Sequence, residues 1–244
     1  MNEILKVRNL SKGKILKDIN FEMQEGEMIA VMGPSGSGKS TLLYNVSGMD
    51  QADDGEVFFN GREIVALSED EKARLRLTAM GFVFQQMNVL SNLNIIDNIV
   101  LPALHANRKK KSRHYERARS LMDVFGIGDL AERKVNEVSG GQLQRACICR
   151  SMMSEPEIIF ADEPTGALNQ SAAADVIEAF LQINRLGTSV LMVTHDLKIA
   201  VMCERILYIL DGEIRGELKL GKYGDEDIRE REKVAAAWLA EMGW

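Results

Sequence analysis

The chain has 244 residues, 45% of them hydrophobic, and carries 36 acidic against 30 basic side chains for a net charge of −6. That length and apolar fraction suffice for one large domain, or for a domain with a subdomain inserted into it, and they exclude a disordered or fibrous chain. The acidic balance speaks against nonspecific nucleic-acid binding as the main task, and no apolar stretch approaches the roughly 18 residues needed to cross a bilayer.

In chain order, short apolar, β-branched runs mark strands at 4–10, 27–33, 56–61, 81–85, 158–162, 189–195 and 205–214. Several are apolar on both faces, as parallel strands covered by helices must be. Helix-period segments fall between them at 40–48, 140–154 and 170–186, so the pattern predicts an α/β architecture. The stretch from about 86 to 155 breaks the alternation and reads as a helical insertion into the α/β core. It holds the basic run RKKKSRH at 108–114, a solvated helix face or loop, with lipid headgroups beside a membrane partner as the alternative. Residues 221–244 form a C-terminal amphipathic helix that sets Val234, Trp238, Leu239 and Met242 on one face. That face packs on the domain's own surface or, alternatively, against a partner.

Three cysteines, Cys147, Cys149 and Cys203, leave an odd number. The first two stand about 200° apart on a helix and share no metal, so all three read as small buried hydrophobes in a reducing compartment. The N-terminus MNEILKVRNLSKGK lacks the apolar segment of a signal peptide, and any membrane role is expected to run through a partner.

The strongest signal is GPSGSGKST, comprising Gly33, Pro34, Ser35, Gly36, Ser37, Gly38, Lys39, Ser40 and Thr41, between an apolar strand and a helix-period segment. It fits the phosphate-loop pattern G-x-x-x-x-G-K-[ST] in the context that the pattern requires. The glycines let backbone N–H groups curl round a phosphate without a Cβ in the way, and the helix start adds a favourable dipole. Lys39 then neutralises the β and γ phosphates and the Ser40 hydroxyl ligates Mg²⁺, so ATP and Mg²⁺ are the expected cofactors. Such a site needs an acid at the end of a neighbouring apolar strand, and EIIFAD supplies it in Asp162. Glu163, one residue on, falls where it can accept a proton from an attacking water or orient it.

With VFQQMN around Gln85, VSGGQLQR around Ser139, Gly140, Gly141 and Gln142, FADEPTGAL, and LMVTHD around His195, the chain resembles the ATP-binding cassette family from about residue 3 to 220. GFVFQQMNVL and DEPTGAL look like the branch serving macrolide export, lipoprotein release and bacitracin resistance. The resemblance implies a P-loop core of mainly parallel sheet with an N-terminal antiparallel β subdomain and the inserted helical subdomain. It implies a homodimer on ATP binding, each ATP between one copy's phosphate loop and the other's signature motif at 139–142, where the helix start forms a second anion site. It also implies that Gln85 contacts Mg²⁺ and the lytic water, and that His195 hydrogen-bonds the γ-phosphate. The protein would then hydrolyse ATP at the cytoplasmic face of the membrane, driving a separate FtsX-like permease in export, release or antimicrobial-peptide resistance, with no nucleic-acid partner. A mechanotransmission or signalling module that moves no substrate is the alternative.

Two positions depart from that family. Gly13, in NLSKGKILKDINF, stands where relatives place a base-stacking aromatic ring, which predicts weaker or less base-selective nucleotide binding. Asn169 stands where relatives end the loop with aspartate, keeping the size and one acceptor oxygen but losing the charge.

Overall fold

The computed structural model describes residues 2–224 and 228–244. The chain runs β1 (Glu3–Lys12), β2 (Leu16–Gln24), β3 (Met28–Met32), α1 (Lys39–Val46), β4 (Asp54–Phe59), β5 (Arg62–Glu63), α2 (Glu69–Ala79) and β6 (Met80–Phe84). Three helices follow before the next strand: α3 (Ile95–Ala106), α4 (Lys111–Val124) and α5 (Gly140–Ser151). The remainder is β7 (Ile158–Asp162), α6 (Gln170–Arg185), β8 (Ser189–Val193), α7 (Leu197–Ala200), β9 (Arg205–Leu210), β10 (Glu213–Lys219) and α8 (Ile228–Glu241).

Two sheets result: an antiparallel one in the order β2-β1-β4-β5, and a six-stranded one in the order β10-β9-β3-β8-β7-β6. In the larger sheet β9, β3, β8, β7 and β6 run parallel, with β10 antiparallel at one edge. Every residue of β3, β7 and β8 is buried, because the parallel strands are covered on both faces. The alternation of the pleat divides their side chains between two cores. Ile29, Val31, Ile158, Phe160, Leu191 and Val193 face α1 and the antiparallel sheet. Ala30, Met32, Ile159, Ala161, Val190 and Met192 face α3, α5, α6 and α7.

Four parts of the structure differ from the reading of the sequence. The run 205–214 is two strands, split at Asp211–Gly212, where both residues have positive φ (52° and 81°) and make a two-residue hairpin turn. β2 was not expected because Lys17, Asp18, Asn20 and Glu22 interrupt its apolar positions, although Ile19, Phe21 and Met23 alternate into the core. α2 is mostly polar, with Leu75 and Ala79 turned to the core; what starts it is a capping box, Ser68 accepting from the Glu71 amide and Glu71 from that of Ser68. On α8 the buried side chains are Arg231, Ala235 and Leu239, with Trp238 and Met242 half-buried. Val234, expected on that face, is 42% exposed, a correction of about one helical position.

All three cysteines are buried, and burial pushes the Cys203 thiol up to about 12 and the other two thiols above their ordinary value. Among the described residues no group of three or more His, Cys, Asp or Glu could hold a metal, and no helix is long and apolar enough to cross a membrane.

Candidate nucleotide site

The phosphate-loop segment 33–38 joins β3 to α1 at the C-terminal edge of the parallel sheet, the edge where ligands bind in open α/β sheets. The loop is shaped for backbone alone: at Gly33, φ +154°, a Cβ would lie 2.1 Å from the Ile209 carbonyl oxygen. Pro34, Ser35 and Gly36 are exposed at the mouth, Ser37 and Gly38 are buried behind them, and Thr41 continues α1. Lys39 Nζ arches back over the loop and donates to the Gly33 and Pro34 carbonyls, each at 2.9 Å. Burial pushes this ammonium below its ordinary value, and the nearby charges of Glu163 and Asp162 pull it partway back. Ser37 Oγ is buried with no hydrogen-bond partner in the protein, an unmet polar group of the kind that a bound phosphate satisfies.

Sheet register brings the other residues to the same edge. Phe84 pairs with Asp162 and Asp162 with Val193, so Gln85, Glu163 and the residues leading to His195 leave three adjacent strands side by side. Asp162 is 8% exposed, and Ser40 Oγ donates to its Oδ1 at 3.0 Å. Two oxygens at that spacing match neighbouring corners of an octahedron with bonds of about 2.1 Å, so Ser40 and Asp162 fit Mg²⁺ held directly or through water. Among the described residues no group of three or more His, Cys, Asp or Glu could hold a metal there, so phosphate oxygens and water would fill out the shell. The sequence reading missed Tyr44, whose hydroxyl donates to the second oxygen, Asp162 Oδ2, at 2.8 Å. Its signal was the four-residue spacing from Ser40, which puts both on one face of α1.

Glu163 adopts φ +47°, a left-handed conformation that costs a glutamate about 1 kcal/mol or more and that clusters at functional sites. Its amide donates to the Val193 carbonyl at 3.0 Å, and its Oε2 lies 2.8 Å from His195 Nδ1. Gln85 is exposed and lies against Gly166, where a Cβ would stand 2.8 Å from the Gln85 amide nitrogen and push that side chain aside.

Ser139, Gly140, Gly141 and Gln142 stand apart from this group. Ser139 caps α5: its Oγ accepts from the Gln142 amide at 3.3 Å while Gln142 Oε1 accepts from the Ser139 amide at 2.8 Å. The helix start packs toward α6, Gly140 near Leu168 and Gly141 against Ala172. The flank of α5 grips the loop that carries Gln85: Gln144 donates to the Phe84 carbonyl at 3.1 Å, and Arg150 to those of Met87 and Asn88 at 2.8 and 3.0 Å.

At the two departures the geometry is specific. Gly13 begins a three-residue hairpin loop closed by Ile15 N–H donating to the Lys12 carbonyl at 2.9 Å, and its own amide binds Asp53. Among the described residues no ring lies within 4 Å of the place a Gly13 Cβ would take; Ile15, 48% exposed, and Leu16 pack next to Gly38 of the phosphate loop. Asn169 caps α6, its Oδ1 accepting from the Ala172 amide at 2.9 Å.

A glycine cradle with its lysine, and an acid on a neighbouring strand bonded to the hydroxyl that follows, define a P-loop nucleoside triphosphatase. Within that class residues 16–166 match the ABC transporter family, and the chain belongs to that family as an ATP-hydrolysing nucleotide-binding module. A lipoprotein-releasing system ATP-binding protein, LolD of Aquifex aeolicus, is 40% identical over 222 residues, covering 89% of this chain and 99% of the relative. The macrolide export ATP-binding/permease protein MacB of Pasteurella multocida is 44% identical over 200 residues, covering 82% of this chain. The match takes in only 31% of that MacB, so the chain spans about a third of such relatives. Among solved structures, a dimeric ATP-binding cassette bound to ADP and Pi superposes with a TM-score of 0.79 at 34% identity, covering 89% of this chain and 99% of that one. The cbiO1 protein of Clostridium perfringens superposes with a TM-score of 0.82 at 25% identity, covering 98% and 96%.

Proposed function

We propose that this chain is the ATP-hydrolysing subunit of a transporter, that two copies close on ATP, and that the closure drives a separate membrane permease from the cytoplasmic face. The row of side chains at one sheet edge carries the reading: Ser40 on Asp162 at 3.0 Å, Glu163 on His195 at 2.8 Å, and Gln85 against Gly166. In it Lys39 and the amides of the phosphate loop hold the β and γ phosphates, and Ser40, Asp162 and Gln85 hold Mg²⁺, which when bound neutralises phosphate charge. Glu163 orients the attacking water and takes its proton, His195 fixes the Glu163 carboxylate and contacts the γ-phosphate, and Gln85 senses that phosphate.

The capped start of α5 at Ser139 is a second anion site packed toward α6, suited to the ATP of a second copy. ATP shared in this way is the glue of the dimer, and its hydrolysis releases the two halves. A dimeric cassette among the similar structures supports this assembly. The relatives' names, lipoprotein release and macrolide export, support a permease partner and a task in export, release or antimicrobial-peptide resistance. Glu163→Gln is expected to trap an ATP-bound dimer visible by size-exclusion chromatography, with hydrolysis slowed at least 100-fold, on the order of one general-base contribution. Turnover at the wild-type rate by that variant would refute the assignment.

A further inference from the structure

We infer that Tyr44 is a positioning residue for the metal-binding carboxylate, holding Asp162 Oδ2 so that Oδ1 stays on the Ser40 side of the site. The inference rests on the nucleotide reading above and adds to it a residue that carries no part of the phosphate-loop pattern. Ser40 and Tyr44 stand four apart on α1 and so lie one above the other on a single face. Each donates to a different oxygen of the same carboxylate, at 3.0 and 2.8 Å, so the two bonds together fix the torsion about the Asp162 Cβ–Cγ bond. Neither alone does so.

The two bonds are not equivalent. Ser40 Oγ is itself a candidate metal ligand, able to offer a lone pair to the metal while its hydrogen goes to Asp162, whereas the phenol hydroxyl of Tyr44 serves the carboxylate alone. The tyrosine is therefore the tether whose hydroxyl does nothing but orient the acid. Its ring is backed by a ladder of aromatic contacts: Tyr44 is tilted on Phe84 at 6.4 Å, Phe84 stacks on Phe82 at 6.1 Å, and Phe82 on Phe160 at 5.6 Å. Phe160 is fully buried in β7, two residues before Asp162, so the ladder ties the hydroxyl to the strand that carries the acid it holds.

The test compares the affinity of the full chain for a non-hydrolysable ATP analogue by calorimetry, once with Mg²⁺ and once with EDTA, and takes the ratio as the coupling between metal and nucleotide. Tyr44→Phe, which removes one oxygen, is expected to cut that ratio about tenfold, leaving the EDTA affinity within about twofold and the melting temperature near that of the wild type. Asp162→Asn is expected to abolish the metal gain, and Tyr44→Phe to add nothing on that background, because the two act through one group. An unchanged ratio in Tyr44→Phe, an equal loss with and without metal, an effect that persists in Asp162→Asn, or an unfolded Tyr44→Phe would each overturn the inference, the last two by making the hydroxyl a structural group. A wild-type chain that binds no analogue in either condition would overturn the nucleotide reading and this inference with it.

Discussion

Asn169 Oδ1 accepts the Ala172 amide at 2.9 Å, and that bond explains how an amide can stand where relatives use a carboxylate. At a helix N-cap Asn and Asp satisfy the same orphan N–H about equally, so what the substitution gives up is charge toward the helix dipole, not the cap. Asn169→Ala is expected to cost about 1 kcal/mol and Asn169→Asp to add about 0.3–1 kcal/mol, read from denaturant midpoints at constant m-value. A stability unchanged by alanine would remove the cap from the account. Glu163 makes the complementary point: its φ of +47° is held while its amide is bonded to Val193 and its carboxylate to His195, so the strain sits at the residue proposed to orient the water.

Among the elements, α5 couples two parts of the site. Its first turn offers the capped helix start at Ser139, and its flank holds the 84–88 loop through Gln144, Cys147 and Arg150. Asn88 has φ +46°, so the loop leaves β6 by a kink that these side chains brace. Arg150→Met removes two hydrogen bonds to loop carbonyls and is expected to lower ATPase kcat several-fold while leaving KM for ATP nearly unchanged, since Lys39 and the phosphate loop are untouched. A rise in KM equal to the fall in kcat, in steady-state assays, would place the effect on ATP binding instead.

Across the whole molecule, α8 closes the helical face of the main sheet. Arg231 is 4% exposed and donates to the carbonyls of Val201, Cys203, Leu220 and Gly221 at 2.7 to 3.1 Å, locking α8 to the end of α7 and to the chain after β10. Trp238 and Trp244 meet Tyr208 edge-on at 6.4 and 6.1 Å, and Tyr208 is 1% exposed. A chain lacking 228–244 would bare that ring and strand those carbonyls, so it is expected to lose roughly 3 kcal/mol or more and to melt well below the full chain. Truncation without change in melting temperature would show that α8 serves only a partner.

The order and spacing of the motifs were legible in the sequence because phosphate binding restricts residue types: glycine where a Cβ would strike Ile209, lysine and serine at fixed steps beyond it, acids at an apolar strand end. The buried parallel strands were legible too, since strands covered on both faces read as continuous apolar runs. β2 and α2 were not, because half of one faces solvent and the other owes its start to a two-residue cap, not to an apolar stripe. The sequence by itself determined the phosphate-loop pattern and the apolar strands that frame it. Only the tertiary structure decided which residues touch one another: register put Gln85, Asp162 and Glu163 in one row, one turn of α1 brought Tyr44 onto the metal acid, and a shortened hairpin left Ile15 beside the phosphate loop. Contacts between residues far apart in the chain depend on strand order and hairpin length, and no local pattern records either.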